Sequence, residues 1–251
     1  MIIGITLVLL IIYMVFTAHN DTIDYRTIND QQLPSSFNGL KIFFIADIHR
    51  RSVSENTLMS IKEKIDIVVI GGDLTEKGVP LKRTRSNLRK LKKLDAPVYF
   101  VWGNNDYEIQ SDKLTTLLIN ESIIILKDSY VNITRNDDMI SLIGFDYIGE
   151  NEERIKIDWQ DVKGNYCILL THISSALYEL EPNIQKNIRI VLAGHTHGGQ
   201  IRFFGLGFYQ KGGFHTHQNT KVFISEGYGY TMLPFRLQTK AECHVLTINN
   251  I

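Results

Sequence analysis

The chain has 251 residues, 27 Lys/Arg against 27 Asp/Glu, 44% hydrophobic residues and a pI near 7.1. That length suits one sizeable domain plus an appendage. The balanced charge gives no basic excess of the kind nucleic-acid binding requires, so no nucleic-acid partner is expected. The two cysteines, Cys167 and Cys243, sit in apolar strand-like runs without a C-x-x-C spacing, which reads as buried free thiols.

The first element is an uncharged run, "MIIGITLVLLIIYMVFTA" (1–18). As a helix of about 25 Å, at ~1.5 Å per residue, it is long enough for the bilayer core. A cleaved signal peptide is the rival reading, but it needs a basic start and a small-x-small cleavage site, and Phe16 occupies the wrong position. We read residues 1–18 as a single-pass membrane anchor and the polar stretch 19–38, ending in Pro-Ser-Ser, as a linker. Residues 39–251 then form the domain proper. This places the chain at the cell membrane. Only Arg26 lies close to the hydrophobic run, so orientation is weakly specified.

From Gly39 onward, β-branched apolar runs alternate with helical patterns. Strands are expected at 41–47, 65–73, 97–103, 122–126, 139–145, 165–171, 188–194, 221–225 and 242–248. Helices are expected at 54–63, 80–94, 111–119, 151–162 and 174–180. Runs apolar on both faces imply strands covered by helices, an α/β arrangement. The helix at 81–94 carries seven Lys/Arg and no acid, with leucines at 81, 88, 91 and 94 on one face. Its basic side is either a solvated face or a patch for anionic lipid, which favours the cytoplasmic side of the membrane.

Polar chemistry gathers just past five of these strands: Asp47 and His49; Asp73; Asn104, Asn105 and Asp106; His172; and His195 with His197. In α/β sheets the carboxyl edge is where ligands bind. A single strand-end His or Asp is ordinarily a hydrogen-bonded structural residue. Five such ends, with glycines at 71, 72, 103 and 194 leaving room for close backbone approach, point to a metal site rich in carboxylate and imidazole.

The motifs "ADIH" (46–49), "GGD" (71–73), "GNND" (103–106), "LTH" (170–172) and "GHTH" (194–197), in this order, resemble those of the calcineurin-like metallophosphoesterases. The tail "GHTHGGQ" and residues 225–248 resemble a bacterial, often membrane-anchored branch related to UDP-diacylglucosamine hydrolase type enzymes. The resemblance implies a layered α/β/β/α sandwich of two mixed sheets, here preceded by one transmembrane helix. It implies two divalent cations, with Mn expected and Fe or Zn as alternatives. One would be held by Asp47, His49, Asp73 and His197, the other by Asp73, Asn104, His172 and His195. Such a pair activates water and clamps phosphoryl oxygens, and imidazoles suit Mn, Fe or Zn better than Ca or Mg.

The implied activity is hydrolysis of a phosphomonoester, phosphodiester or pyrophosphate bond, with Asp73 and Asn105 at the reaction centre and a lipid-linked or nucleotide-linked phosphate as substrate. A soluble or cyclic nucleotide, or a weakly active phosphate-binding protein, are the alternatives. The pattern usually places a histidine where this chain has Asn105, and an amide cannot act as an acid. Either the leaving group is a good one, or another group such as His215 or His217 substitutes, or activity is weak. Arg50 and Arg236 are candidates to bind phosphate, since arginine forks an oxyanion bidentately. His215 and His217 read otherwise as parts of a polar loop, and Asp106 as a residue that orients its loop.

Overall fold

The computed structural model describes residues 2–147 and 157–251. An apolar helix α1 (Ile2–His19) leads, and the other helices are short: α2 (Glu55–Met59), α3 (Leu81–Leu91), α4 (Ser111–Asn120) and α5 (Pro182–Gln185). The strands are β1 (Asp21–Asn29), β2 (Leu40–Ile45), β3 (Ile67–Gly71), β4 (Val98–Val101), β5 (Ile124–Ile125), β6 (Ser129–Arg135), β7 (Asp138–Gly144), β8 (Tyr166–Leu170), β9 (Ile188–Ala193), β10 (Gly213–His217), β11 (Thr220–Ile224) and β12 (Ala241–Asn249). They form two mixed six-stranded sheets, ordered β1-β12-β2-β3-β4-β5 and β10-β11-β9-β8-β7-β6.

The central strands read as continuous apolar runs because both their faces are buried. Phe44, Val69, Leu142, Ile168, Ile190 and Phe223 meet between the sheets. On the outer face of the first sheet, Phe43, Val68 and Phe100 pack against Leu58 of α2, Leu88 of α3 and Leu114 of α4. On the outer face of the second, Leu169 and Val191 are covered by Ala176 and Leu177. The result is the expected sandwich of two mixed sheets with helices outside.

Strands β2 to β5 run parallel, as do β7, β8, β9 and β11. The carboxyl ends of β2, β3, β4, β8 and β9 therefore open onto loops that are cross-tied. Asp47 N–H donates to Gly72 O, His49 N–H to Asp73 O, and Gly194 N–H to His172 O.

Several expectations are corrected. Residues 21–29, read as linker, form β1, paired in parallel with β12 from Asp21↔Ala241 to Asn29↔Asn249. Their polar sequence suits an edge strand: Tyr25, Arg26 and Thr27 are exposed, while Ile28 packs between the sheets and Ile23 against the outer-face core. The helix at 54–63 shortens to α2, capped by the Ser54 side chain accepting from Thr57 N–H. The stretch 174–180 forms a 3-10 helix, Ser174–Glu179. Residues 151–156 of the stretch 151–162 lie outside the described residues; within the rest, Trp159–Asp161 is a 3-10 turn. Strands β6 and β10 went unforeseen.

Candidate metal centre

Seven side chains from five loops meet at this edge. His49 Nε2 lies 3.1 Å from His197 Nε2 and 3.6 Å from Asp73 Oδ2, and His197 Nε2 lies 3.5 Å from Asp47 Oδ1. Beside them, His172 Nε2 lies 3.3 Å from Asp73 Oδ2, 3.2 Å from Asn104 Oδ1 and 3.2 Å from His195 Nδ1, and His195 Nδ1 is 3.1 Å from Asn104 Oδ1. These are two foci: Asp47, His49 and His197 converge on one, His172, His195 and Asn104 on the other, and Asp73 faces both. Asp47, His49 and His197, and likewise Asp47, Asp73 and His172, have ligand atoms within 4.8 Å of one another.

The backbone is forced to make this convergence. Asp47, His49, Asp73, His195 and His197 all have φ between 49° and 72°. For residues with a Cβ this left-handed region is sparsely populated, and such strain clusters at functional sites. Two glycines clear the floor. A Cβ on Gly103 would sit 2.3 Å from Asp73 Oδ1, and one on Gly194 would sit 2.6 Å from Asp47 Oδ2.

Surrounding residues fix the donors. Asn105 N–H donates to Asp73 Oδ1 at 2.8 Å. The Asn104 amide donates to Asn105 Oδ1 at 2.8 Å, which turns Asn104 Oδ1 toward His172 and His195. Fully buried Asp106 accepts from Thr75 N–H (3.0 Å) and Gly103 N–H (2.9 Å), clamping the loops after β3 and β4 together. Glu76 Oε2 lies 2.9 Å from His49 Nδ1, the carboxylate–imidazole arrangement that orients metal-binding histidines. Glu76 was not foreseen, because an acid three residues past Asp73 carries no pattern separating it from a surface residue.

In the protein alone, protons are divided unevenly among these groups. Burial raises Asp47, and Asp73 nearby adds to it. Burial opposes a charge on His172, but Asp73 and Asp47 override it and push its pKa up to about 10. His195 falls to about 4 through burial and the positive His172, and His197 is lowered by burial and by His49. Mixed nitrogen and oxygen donors, packed close and in conflict over protons, suit divalent cations, which take imidazole and carboxylate as neutral and anionic ligands at once. The residues fit a pair of them.

The site opens into a cavity of about 200 Å³ lined by, among others, His49, Asp73, Asn105, His197, Gln200, Tyr209 and Thr231. Asp47 and His172 are buried beneath it. None of Arg50, Arg236, His215 and His217, the expected substrate contacts, lines this cavity. Arg236 is fully buried, and its Nη2 donates to the carbonyls of Glu226 (2.6 Å), Gly229 (2.7 Å) and Gly227 (2.9 Å). It ties the loop after β11 together and stands behind His197, with Nη2 3.4 Å from His197 Nδ1 and Nη1 3.5 Å from His197 O. His215 and His217 stand on edge strand β10, where His217 pairs with Thr220 at the sheet end opposite the site and packs edge-on against Tyr178. Neither lines the cavity. Arg50 is half exposed near the rim, but its Nε is engaged by Glu76.

The chain belongs to the calcineurin-like phosphoesterase family, whose model matches residues 40–199. It is 35% identical over 210 residues to the protein YpbG of Bacillus subtilis, covering 83% of this chain and 81% of that one. It is 30% identical over 235 residues to a zebrafish transmembrane protein with a metallophosphoesterase domain, covering 84% of this chain and about half (54%) of that longer protein. Among solved structures, the Haemophilus influenzae NAD nucleotidase superposes with a TM-score of 0.52 at 18% identity, over 76% of this chain and 45% of that one. The Thermus thermophilus protein TT1561 gives 0.53 at 11% identity, over 75% and 90%. Both are likenesses of fold.

Proposed function

We propose that this protein is a membrane-tethered hydrolase of phosphoric esters or anhydrides that works with two divalent cations. The observation that carries the reading is the pair of donor foci meeting at Asp73. Asp47, His49, Asp73 and His197 would hold one cation, and Asp73, Asn104, His172 and His195 the other. When bound, the cations supply Lewis acidity toward water and the phosphoryl group. The imidazole content supports Mn, with Fe or Zn as alternatives.

The chain's own residues set the geometry. Asp106 and Gly103 fix the height of Asp73, Glu76 sets the plane of the His49 ring, and Asn105 orients Asn104. Asn105 also lines the cavity, so it stands where a phosphoryl oxygen would enter. Its amide donates to Glu108 Oε1 at 3.0 Å and accepts from Asn104, and an amide has no proton to give a departing alkoxide. This favours substrates whose leaving group departs unaided, such as a nucleotide or pyrophosphate, over cyclic nucleotides. The apolar helix α1, mean hydropathy 2.4 over 18 residues, supports a lipid-linked substrate and a single-pass anchor. The basic helix α3 supports the cytoplasmic side.

The test is hydrolysis of p-nitrophenyl phosphate and bis-p-nitrophenyl phosphate by the purified chain with Mn²⁺, together with its metal content. Turnover that disappears in Asp73→Asn supports the reading. Phosphate binding without turnover would make the protein a receptor for phosphorylated ligands instead.

A further inference from the structure

We propose that an apolar rim beside the site enters the surface of the same bilayer that α1 enters, so that the site opens at the lipid interface. The inference rests on the anchor reading above, and not on the hydrolase reading.

The sheet topology sets the end of α1 beside the site. Strand β1 runs parallel to β12, and β12 antiparallel to β2. Asp21 and Ala241 therefore lie at the sheet edge where β2 delivers Asp47 and His49. Only Asn20 separates α1 from β1, so the helix leaves the domain at the edge that carries the site. Its last turns are fastened there. Arg236 N–H donates to Met14 O at 3.1 Å, Arg51 Nη2 to His19 O at 3.3 Å, and the His19 and Tyr230 rings pack 5.5 Å apart.

An exposed apolar surface lies between the helix end and the site. An apolar groove of about 780 Å³ borders the site cavity, sharing Gly199, Gln200 and Thr231 with it, and includes Phe235, the neighbour of Arg236. Its walls expose Phe204 (97%), Phe208 (100%), Leu206 and Met232. Scattered exposed hydrophobes need no explanation, but a contiguous patch does.

Part of this loop's backbone is bonded within the loop itself. Phe203 and Leu206 bond each other's backbone at 2.9 Å both ways, and buried Arg202 donates to the carbonyls of Gly198, Gly205 and Tyr209. Backbone groups satisfied internally can leave water at little cost. Exposed Arg83, whose Nη1 donates to Arg50 O, stands on the same edge for anionic headgroups. The continuity of the groove with the fastened end of α1 selects the bilayer as its occupant over a second copy of the chain.

The test uses the full chain reconstituted in phosphatidylcholine–phosphatidylglycerol vesicles, with and without brominated acyl chains. Phe208→Trp reports on the rim, and Ile119→Trp, exposed at the far end of α4, is the control. Signals are corrected for Trp102 and Trp159 with the parent chain. The expected result is that brominated vesicles quench the added emission of the Phe208→Trp chain and leave that of the Ile119→Trp chain unaffected. A Phe208→Trp chain that floats with vesicles yet keeps its full emission overturns the inference and leaves the anchor standing. The same unquenched emission, with the rim indole cross-linked between copies, assigns the groove to self-association and overturns it as well. A chain that does not float overturns both. No activity is read, so a hydrolase that fails the test and a non-hydrolase that passes it are told apart.

Discussion

Gly103→Ala separates the geometry of the site from its chemistry, because it removes no ligand. The new Cβ would lie 2.3 Å from Asp73 Oδ1 and 2.4 Å from Asp73 N. An ordinary carbon–oxygen contact needs roughly 3.3 Å, so Asp73 and the turn carrying Asn104 must part by about 1 Å. Overpacking of this kind costs ~1–3 kcal/mol of stability, and a 1 Å misplacement of reacting groups costs ~10²-fold in rate. We expect kcat/KM for p-nitrophenyl phosphate at saturating Mn²⁺ to fall on the order of a hundredfold, in a protein that still unfolds cooperatively. Gly78→Ala is the control. Its φ of +88° makes alanine strained, but nothing lies within 4 Å, so it should lose stability and keep its turnover. A folded Gly103→Ala protein with full turnover and unchanged Mn²⁺ dependence would refute the assignment of Asp73 to the reaction centre.

Asp73→Asn should weaken Mn²⁺ binding by more than ~10²-fold, beyond the loss typical of residues that only orient a ligand, as read by calorimetric titration. Asn105→His should raise turnover of alkyl phosphates by ~10-fold or more while changing p-nitrophenyl phosphate little, since only poor leaving groups need a proton; an unchanged ratio in steady-state assays would discard the leaving-group argument. Arg236→Lys should lower the thermal midpoint, as read by calorimetry, because a single ammonium cannot span the carbonyls of Glu226, Gly227 and Gly229. Burial opposes ionisation of Asp24, but hydrogen bonds to His244 and Arg26 prevail and lower its pKa from 3.8 to about 2. That contribution to stability is present above pH 3.8 and is lost as pH falls through about 2. Asp24→Asn should therefore be less stable than the parent in urea at pH 7, with the gap closing toward pH 2.

The central strands were legible because burial on both faces writes an unbroken apolar run, as in "KIFFIAD" and "IRIVLAG". That the seven polar side chains meet was legible because each follows such a run directly, and strand direction alone carries them to one edge. Strand β1 was not, since its nine residues are mostly polar and its partner, β12, lies more than 200 positions away. The guanidinium of Arg236 was misjudged for a related reason. A cation near the last motifs reads as a phosphate ligand until the carbonyls that surround it are placed, and those are backbone groups that no side-chain pattern records. His215 and His217 share the His-x-His spacing of 195–197, but alternation along a strand edge gives the same spacing with no common focus.

The left-handed backbone at Asp47, His49, Asp73, His195 and His197 bears on how such a site can change. A neighbouring residue cannot be recruited to replace a lost donor there, because the chain direction that aims the donor belongs to one position only. Variation is channelled instead to places where the peptide is relaxed. Asn105 is such a place, standing at the start of a 3-10 helix and outside the left-handed set, and it is where the motif resemblance leads one to expect a histidine. The backbone is thus committed at the five positions that aim these side chains and relaxed at Asn105, so that substitution there disturbs the chain path least.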